Sequence, residues 1–126
     1  DVAAVCAASD FVSPHCAATP QTANIINADA IAAMRPGGYL INTARGDVVD
    51  ETALALALHR GAIGGAGLDV FQGEPAINPD LLSAPNTVLL PHLGSATEET
   101  RVAMGMKVLE NALAFAGGET LPDKMA

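Results

Sequence analysis

Short hydrophobic runs alternate along this chain with longer stretches in which apolar residues recur every three or four positions. The short runs are typical of buried strands, and they predict strands at residues 11–15, 39–43, 62–68 and 87–90. The longer stretches predict helices at residues 2–8, 28–34, 50–59 and 96–116. Strands separated by helices of about ten residues indicate βαβ units. The pattern therefore predicts an α/β fold built on a parallel sheet, with flanking helices and a long C-terminal helix.

Polar residues and glycines mark the ends of these elements. Asn27 is a suitable N-cap for the second helix, Gly61 fits the C′ position of the third, and Ser95 is a candidate N-cap for the fourth. The glycines within residues 62–68 predict a close approach of the backbone to something flat or to a packed helix. The other stretches predict a loop at residues 71–84 and a C-terminal tail at residues 117–126.

Length, charge and cysteine content limit the number of domains, the kinds of partner and the cellular compartment that the chain can have. With 126 residues the chain is long enough for one domain, and 50% apolar but only 3% aromatic residues predict an aliphatic core. Its formal net charge of −8 argues against a nucleic-acid partner or an anionic membrane surface. No apolar run approaches the ~20 residues that a membrane-spanning helix needs. Cys6 and Cys16 lack metal-ligand spacing, and reduced thiols indicate a cytoplasmic protein.

Side chains capable of ionic or acid–base chemistry follow three of the predicted strands. Arg45 follows the second strand, Asp69 and then Glu74 follow the third, and His92 follows the fourth. Because ligands bind outside the carboxyl ends of parallel strands, we expect these side chains to share one cleft. Such an arrangement is typical of an active site.

Arg45 lies in a short loop, between Ala44 and Gly46. Its guanidinium could form a two-pronged salt link with the carboxylate of a substrate. The alternative is a surface arginine that pairs with Asp47 or Asp50. The position at a strand end favours the functional interpretation.

Glu74 and His92 make sense as an acid–base pair. A carboxylate beside an imidazole favours the imidazolium, which can protonate a developing alkoxide. A hydrogen-bonded structural histidine is the alternative. Asp69 could accept a hydrogen bond from an amide-bearing ligand, or could cap the turn that follows it. Cys16, after the first strand, could line the same crevice or simply pack.

Three segments of the chain resemble the signatures of the D-2-hydroxyacid dehydrogenase family. They are Ile41-Asn42-Thr43-Ala44-Arg45-Gly46-Asp47-Val48-Val49-Asp50, Gly67-Leu68-Asp69-Val70-Phe71-Gln72-Gly73-Glu74-Pro75 and Pro91-His92-Leu93-Gly94-Ser95-Ala96. Their order and spacing agree with the family as well, and the match is most like its glycerate dehydrogenase and glyoxylate/hydroxypyruvate reductase branch. The resemblance implies the second half of a Rossmann-like, doubly wound coenzyme domain.

The same resemblance implies a reaction, a reversible hydride transfer between NAD or NADP and a small 2-oxo or 2-hydroxy acid. In it Arg45 would bind the substrate carboxylate, His92 would donate a proton to the carbonyl oxygen, and Glu74 would keep His92 protonated. Asp69 would bind the nicotinamide carboxamide. The full set of positions that the resemblance places beside the cofactor is Cys16, Thr43, Ala44, Arg45, Asp69, His92, Gly94 and Ser95.

Two parts of that family have no counterpart in the sequence, the G-x-G-x-x-G turn that binds the pyrophosphate and the separate substrate domain. We therefore expect residues 1–116 to be a partial dinucleotide-binding domain with its terminal helix, followed by a tail at residues 117–126, within a longer polypeptide. We expect the isolated chain to bind dinucleotide weakly and to show no measurable reductase activity. The competing interpretation is an inactive fragment or a dinucleotide-sensing module of the corepressor type. A missing sheet half would leave the strand at residues 11–15 as an open edge, which predicts a homodimer or association through that edge.

Overall fold

A computed structural model describes residues 1–124 of the chain. Within these residues a parallel sheet forms in chain order, with each strand hydrogen-bonded to the next one along the sequence. Its strands are β1 (Phe11–Val12), β2 (Tyr39–Asn42), β3 (Gly65–Leu68) and β4 (Thr87–Leu89). The predicted α/β class and parallel sheet are confirmed. The strands are shorter than predicted, and β1 stops before Pro14, which has no amide hydrogen to donate to a ladder.

Helices connect the strands, and most of them begin at a polar cap. They are α1 (Val2–Ala8), α2 (Ala28–Ala32), α3 (Glu51–His59), α4 (Pro79–Leu82) and α5 (Glu98–Ala116), with a 3₁₀ helix at Gly46–Val48. Asn27 caps α2 as predicted, because its side chain accepts a hydrogen bond from the Ala30 amide at 2.9 Å. Gly61 follows α3 with a φ of 62°, as expected of a glycine at C′.

Two predictions about helix positions are wrong. The N-cap of α5 is Thr97, whose hydroxyl accepts from the Thr100 amide at 3.2 Å, and not Ser95. The predicted loop at residues 71–84 contains the short helix α4, which is capped by Asn78 and has Pro79 at its first position. A single turn of helix is too short to show a hydrophobic period, so only these capping residues signal it.

The glycines before and within β3 make the predicted close approach, but to neighbouring loops and strands instead of to a helix. A Cβ atom on Gly64 would lie 2.6 Å from the carbonyl oxygen of Gly37. One on Gly65 would lie 2.9 Å from the ring of Tyr39 on the adjacent strand. Side chains at these positions would therefore force β2 and β3 apart.

The core lies on one side of the sheet, where alternate strand residues meet the helices. Leu40 and Leu68 are buried there with Ile31 of α2 and Leu54 and Leu58 of α3. The opposite side of the sheet is more open. It carries Phe11, Tyr39 and Val88, whose exposed fractions are 69%, 41% and 62%.

The chain forms two compact units. The first, Asp1–His92, contains the sheet and helices α1 to α4, and the second, Leu93–Ala126, contains α5. Of the predicted tail, Asp123 accepts a hydrogen bond from Asn111 of α5 at 2.8 Å, while residues 125–126 lie outside the described part of the chain. Among residues 1–124, no helix is both long enough and apolar enough to span a membrane.

Candidate active site

Glu74 and His92 form a hydrogen-bonded pair, as the sequence predicts. The Nδ1 atom of His92 lies 2.8 Å from Oε2 of Glu74, and the two side chains are 46% and 34% exposed. The other carboxylate oxygen, Oε1, accepts from the Phe71 amide at 2.8 Å. The hydrogen bond from His92, with help from the Phe71 amide, lowers the pKa of Glu74 below its ordinary value.

This geometry decides which ring nitrogen of His92 is available for chemistry. An ionised Glu74 can only accept hydrogen bonds, so Nδ1 must carry the proton of the Glu74–His92 bond. The Nε2 atom is then the nitrogen left to exchange a proton with a ligand. The pair lines a pocket of about 150 Å³ together with Phe71, Ile77 and Pro91.

The backbone of His92 is held in an unusual conformation. Its φ is +55°, in the left-handed region that non-glycine residues rarely occupy. Such angles persist where the surrounding structure fixes them, and they concentrate at functional sites. The side chain that we expect to carry out the acid–base step is thus on a constrained backbone.

Arg45 lies in a loop that the end of β2 holds in place. Asn42, which is 1% exposed, accepts from the Ala44 amide at 3.1 Å and donates to the Arg45 carbonyl at 2.9 Å. The guanidinium of Arg45 is exposed and donates to the Ala44 carbonyl at 2.6 Å. Sequence reasoning did not identify Asn42 as a functional residue. A polar residue at an inward-facing position of a strand, next to Ile41, could have indicated it.

Four of the residues predicted to lie beside a cofactor line a second recess. Cys16, Thr43, Ala44 and Arg45 line a groove of about 480 Å³ at the carboxyl ends of β1 and β2. Thr43 and Arg45 are exposed, and Cys16 is half-buried with a free thiol. Arg45 thus lines this groove, whereas Glu74 and His92 line the other pocket.

The other predicted positions differ in their surroundings. Asp69 directly follows β3 and is buried, with 4% of its surface exposed. Its amide donates to the carbonyl of Asn42 at 2.9 Å, which joins the ends of β2 and β3. Gly94 and Ser95 belong to the second compact unit.

A backbone contact joins the two recesses. Gly46, the residue after Arg45, is packed so closely that an added Cβ would lie 2.0 Å from the carbonyl carbon of Phe71 and 2.3 Å from the amide nitrogen of Gln72. The Phe71–Gln72 peptide belongs to the loop that carries Glu74. The loop that carries Arg45 is therefore packed against the loop that carries Glu74.

Comparison with known families assigns the chain to a class of protein. The model of the D-isomer specific 2-hydroxyacid dehydrogenases, NAD binding domain, matches residues 1–94. The chain belongs to this family, and its fold is the predicted Rossmann-like arrangement of a parallel sheet, flanking helices and a long C-terminal helix.

The curated relatives of the chain include reductases and dehydrogenases. The chain is 49% identical to a glyoxylate reductase of Thermococcus litoralis over 115 residues, covering 91% of the chain and 35% of that enzyme. It is 53% identical to a 2-ketogluconate reductase of Gluconobacter oxydans over 102 residues, covering 81% of the chain and 33% of that enzyme. The chain thus spans about a third of the length of these relatives.

A solved structure shows the same architecture. The NADPH-dependent glyoxylate/hydroxypyruvate reductase of Sinorhizobium meliloti, in complex with NADP and malonate, superimposes with a TM-score of 0.95 at 42% identity. The match covers 99% of this chain and 39% of that reductase.

Proposed function

We propose that this chain provides the catalytic half of a coenzyme domain in an NAD- or NADP-dependent oxidoreductase that interconverts small 2-oxo acids and D-2-hydroxy acids. Its substrates would be of the glyoxylate, hydroxypyruvate and glycerate type. The first two occur in the names of its relatives, and the third follows from the family resemblance. Residues 1–116 form the partial coenzyme domain with its terminal helix, and residues 117–126 form a tail. The observation that carries the proposal is the Glu74–His92 pair at the sheet edge, beside the loop of Arg45.

The groove beside Arg45 fits the nicotinamide end of a dinucleotide. Cys16, Thr43 and Ala44 line it together with Arg45. Asp69, at the next strand end, would supply a carboxylate to the carboxamide, and the family resemblance counts Gly94 and Ser95 among the cofactor-binding residues. When bound, the cofactor supplies or accepts the hydride.

The side chains of this protein then perform the remaining chemistry of reduction. Arg45 binds the substrate carboxylate through paired hydrogen bonds, for which its guanidinium has further N–H groups besides the one that donates to the Ala44 carbonyl. His92 donates the proton on Nε2 to the carbonyl oxygen as the hydride reaches the carbonyl carbon. Glu74 fixes the orientation of the ring through Nδ1. In the oxidation of a 2-hydroxy acid, Nε2 takes the hydroxyl proton back.

We further propose a cytoplasmic protein, since Cys6 and Cys16 are both free thiols. Copies of the chain would associate as a homodimer or through the open edge of β1. No nucleic-acid or membrane partner is proposed, in keeping with the net charge of −8.

Substitutions in the full-length parent enzyme test the reaction. His92→Ala should lower kcat by roughly 10²- to 10⁴-fold while the dissociation constant for the dinucleotide changes little, because only the proton donor is lost. Arg45→Ala should raise KM for the 2-oxo acid and lower kcat, and Arg45→Lys should not restore two-pronged binding. Steady-state NADH or NADPH oxidation with glyoxylate and hydroxypyruvate measures both effects.

Controls come from the end of α3. His59→Ala and Arg60→Ala remove the same two side-chain types from exposed positions outside both recesses, and both should keep normal kinetics. Unchanged kinetics in His92→Ala and Arg45→Ala would contradict the roles proposed for these side chains. Dinucleotide binding without turnover in the unsubstituted parent would instead favour a dinucleotide-sensing module.

A further inference from the structure

Glu51 is a buried carboxylate that the proposed reaction does not use. It lies in the first turn of α3 and is 4% exposed, although an acidic residue at a helix N-terminus is usually solvated. Its Oε1 atom accepts a hydrogen bond of 2.6 Å from the backbone amide of Gln72, which lies 21 positions further along the chain. A buried carboxylate is costly unless it is hydrogen-bonded, so this contact needs an explanation.

Glu51 binds the amide of the Phe71–Gln72 peptide, which is the peptide that contacts the loop of Arg45. The amide of Phe71 binds Glu74, and the next amide, that of Gln72, binds Glu51. The Phe71–Gln72 peptide is also the group against which Gly46 is packed. One short backbone segment therefore touches both the loop of Arg45 and the carboxylate that orients His92.

The side chain of Gln72 strengthens the same attachment. Its Nε2 atom donates to the carbonyl of Val49 at 2.9 Å and to the side chain of Asn24 at 3.0 Å. The backbone of Gln72 is thus bound by Glu51 and its side chain by the segment that leads into α3. Truncation of Glu51 would leave a partly buried amide without its acceptor.

We propose that Glu51 is a positioning residue for the active site, which acts through the Gln72 amide to set the distance between Arg45 and the Glu74–His92 pair. This inference rests on the proposed function, because the spacing matters only if those side chains act on one substrate. What the position requires is an acceptor oxygen at the end of a side chain of this length.

The electrostatic surroundings of Glu51 agree with a role that needs an oxygen more than a charge. Burial raises the pKa of the Glu51 carboxyl, while the Gln72 amide lowers it, and the carboxylates of Asp47 and Glu74 raise it further. A neutral side chain with an oxygen in the same place should therefore serve as well. Glu51→Gln meets that description.

Solution NMR of the full chain tests the proposal without cofactor or substrate. Hydrogen exchange of the Gln72 amide reports the contact itself, and the Nδ1–H resonance of His92 in ¹⁵N-histidine-labelled protein reports the Glu74–His92 bond. Glu51→Ala should speed exchange of the Gln72 amide by about tenfold and broaden or shift the His92 resonance. Glu51→Gln should keep both signals as they are in the unsubstituted chain.

A buried residue one turn further along α3 provides the matched control. Leu54→Ala opens a cavity at a fully buried site, so it destabilises the same helix while leaving the Gln72 contact in place. It should leave the His92 resonance unchanged. If Glu51→Ala fails to fold, Glu51→Asp takes its place, because it keeps the charge but moves the carboxylate oxygen away from the Gln72 amide. Glu51→Asp should then change the exchange of that amide and the His92 resonance in the same direction as Glu51→Ala.

Two results would overturn the proposal. One is a His92 resonance in Glu51→Ala or Glu51→Asp identical to that of the unsubstituted chain. The other is the same disturbance in Leu54→Ala, which would reduce Glu51 to a stabiliser of α3. Neither result depends on turnover, so the reductase proposal would stand or fall separately, on the His92→Ala kinetics.

Discussion

Two carboxylates close to the candidate site respond to their surroundings in opposite directions. Hydrogen bonds from His92 and from the Phe71 amide lower the pKa of Glu74, whereas burial raises the pKa of Glu51. The first carboxylate accepts bonds that favour its charge, and the second is kept from water. The direction of each pKa shift determines whether that carboxyl group stabilises the folded chain more at higher or at lower pH.

Stability should therefore depend on pH in opposite ways at these two residues. The contribution of Glu74 is present above the ordinary carboxyl pKa and is lost as the pH falls through the lowered value of the folded chain. That of Glu51 is greatest below the ordinary value and declines as the pH rises through its raised value. Urea unfolding of the unsubstituted chain, Glu74→Gln and Glu51→Gln across the acidic range measures both.

On acidification, the stability advantage of the unsubstituted chain should shrink relative to Glu74→Gln and grow relative to Glu51→Gln. Parallel pH profiles for the two variants would contradict the opposite pKa shifts. The comparison is matched, since each variant replaces one carboxylate by an amide of the same shape.

At the scale of single residues, the sequence predicted the Glu74–His92 pair better than the residues that hold the neighbouring backbone in place. Glu74 and His92 could be paired because each follows a strand of the same parallel sheet. Asn42 and Glu51 were not assigned, because an inward asparagine in a strand and an acid in a first helical turn also have ordinary explanations, and only Asn42 carried a signal, its inward position in the strand. The hydrogen-bond partners of Asn42 and Glu51 are backbone groups, whose positions cannot be read from the sequence.

At the scale of elements, the junction between β2 and the 3₁₀ helix carries the most constrained position. Gly46 begins the 3₁₀ helix directly after Arg45, and its α-carbon faces the Phe71–Gln72 peptide with no room for a methyl group. The obstructing atoms are backbone, so no side-chain rotation can relieve the clash.

Gly46→Ala should thus destabilise the chain by at least about 2 kcal/mol and separate the loop of Arg45 from that of Glu74. Gly37→Ala is the control, because a Cβ there meets no atom within 4 Å, and its effect should stay within about 0.5 kcal/mol. Thermal and urea unfolding measure both variants. A Gly46→Ala chain as stable as the unsubstituted one would show that the two loops are free to move apart.

Elements with a clear period were predictable, and those without one were not. The alternation of short apolar runs with helical stretches was enough for β2, β4, α1 and α3. The single turn of α4 depends on Asn78 and Pro79 alone, and the shift of the α5 cap from Ser95 to Thr97 depends on which of two hydroxyls meets a helical amide. Such choices are made by local hydrogen bonds after the chain has folded.

At the scale of the whole molecule, the sheet ends in an exposed strand. β1 is hydrogen-bonded to β2 on one side and has no further strand on its other side within residues 1–124. Phe11 on this strand is 69% exposed and stacks on Tyr39 with ring centroids 5.5 Å apart. An exposed edge with an aromatic pair favours the addition of another chain.

The 126-residue chain should therefore self-associate in a concentration-dependent way. Phe11→Lys places a charge on the edge strand and should shift the mass distribution toward monomer, as measured by sedimentation velocity. Leu82→Lys adds the same charge at an exposed position of α4 and should leave association unchanged. Equal effects of the two variants would attribute the association to net charge and exclude the β1 edge.

The strand order of the sheet follows the order of the chain, β1 to β4, and this has a consequence for biosynthesis. Within residues 1–124, each strand after β1 pairs with the strand that was synthesised just before it. Assembly can therefore proceed one β–α–β step at a time without waiting for a distant segment. Translation pauses should be tolerated best between these steps. The segment that carries His92 would then be synthesised once all four strands are present, and α5 would follow it.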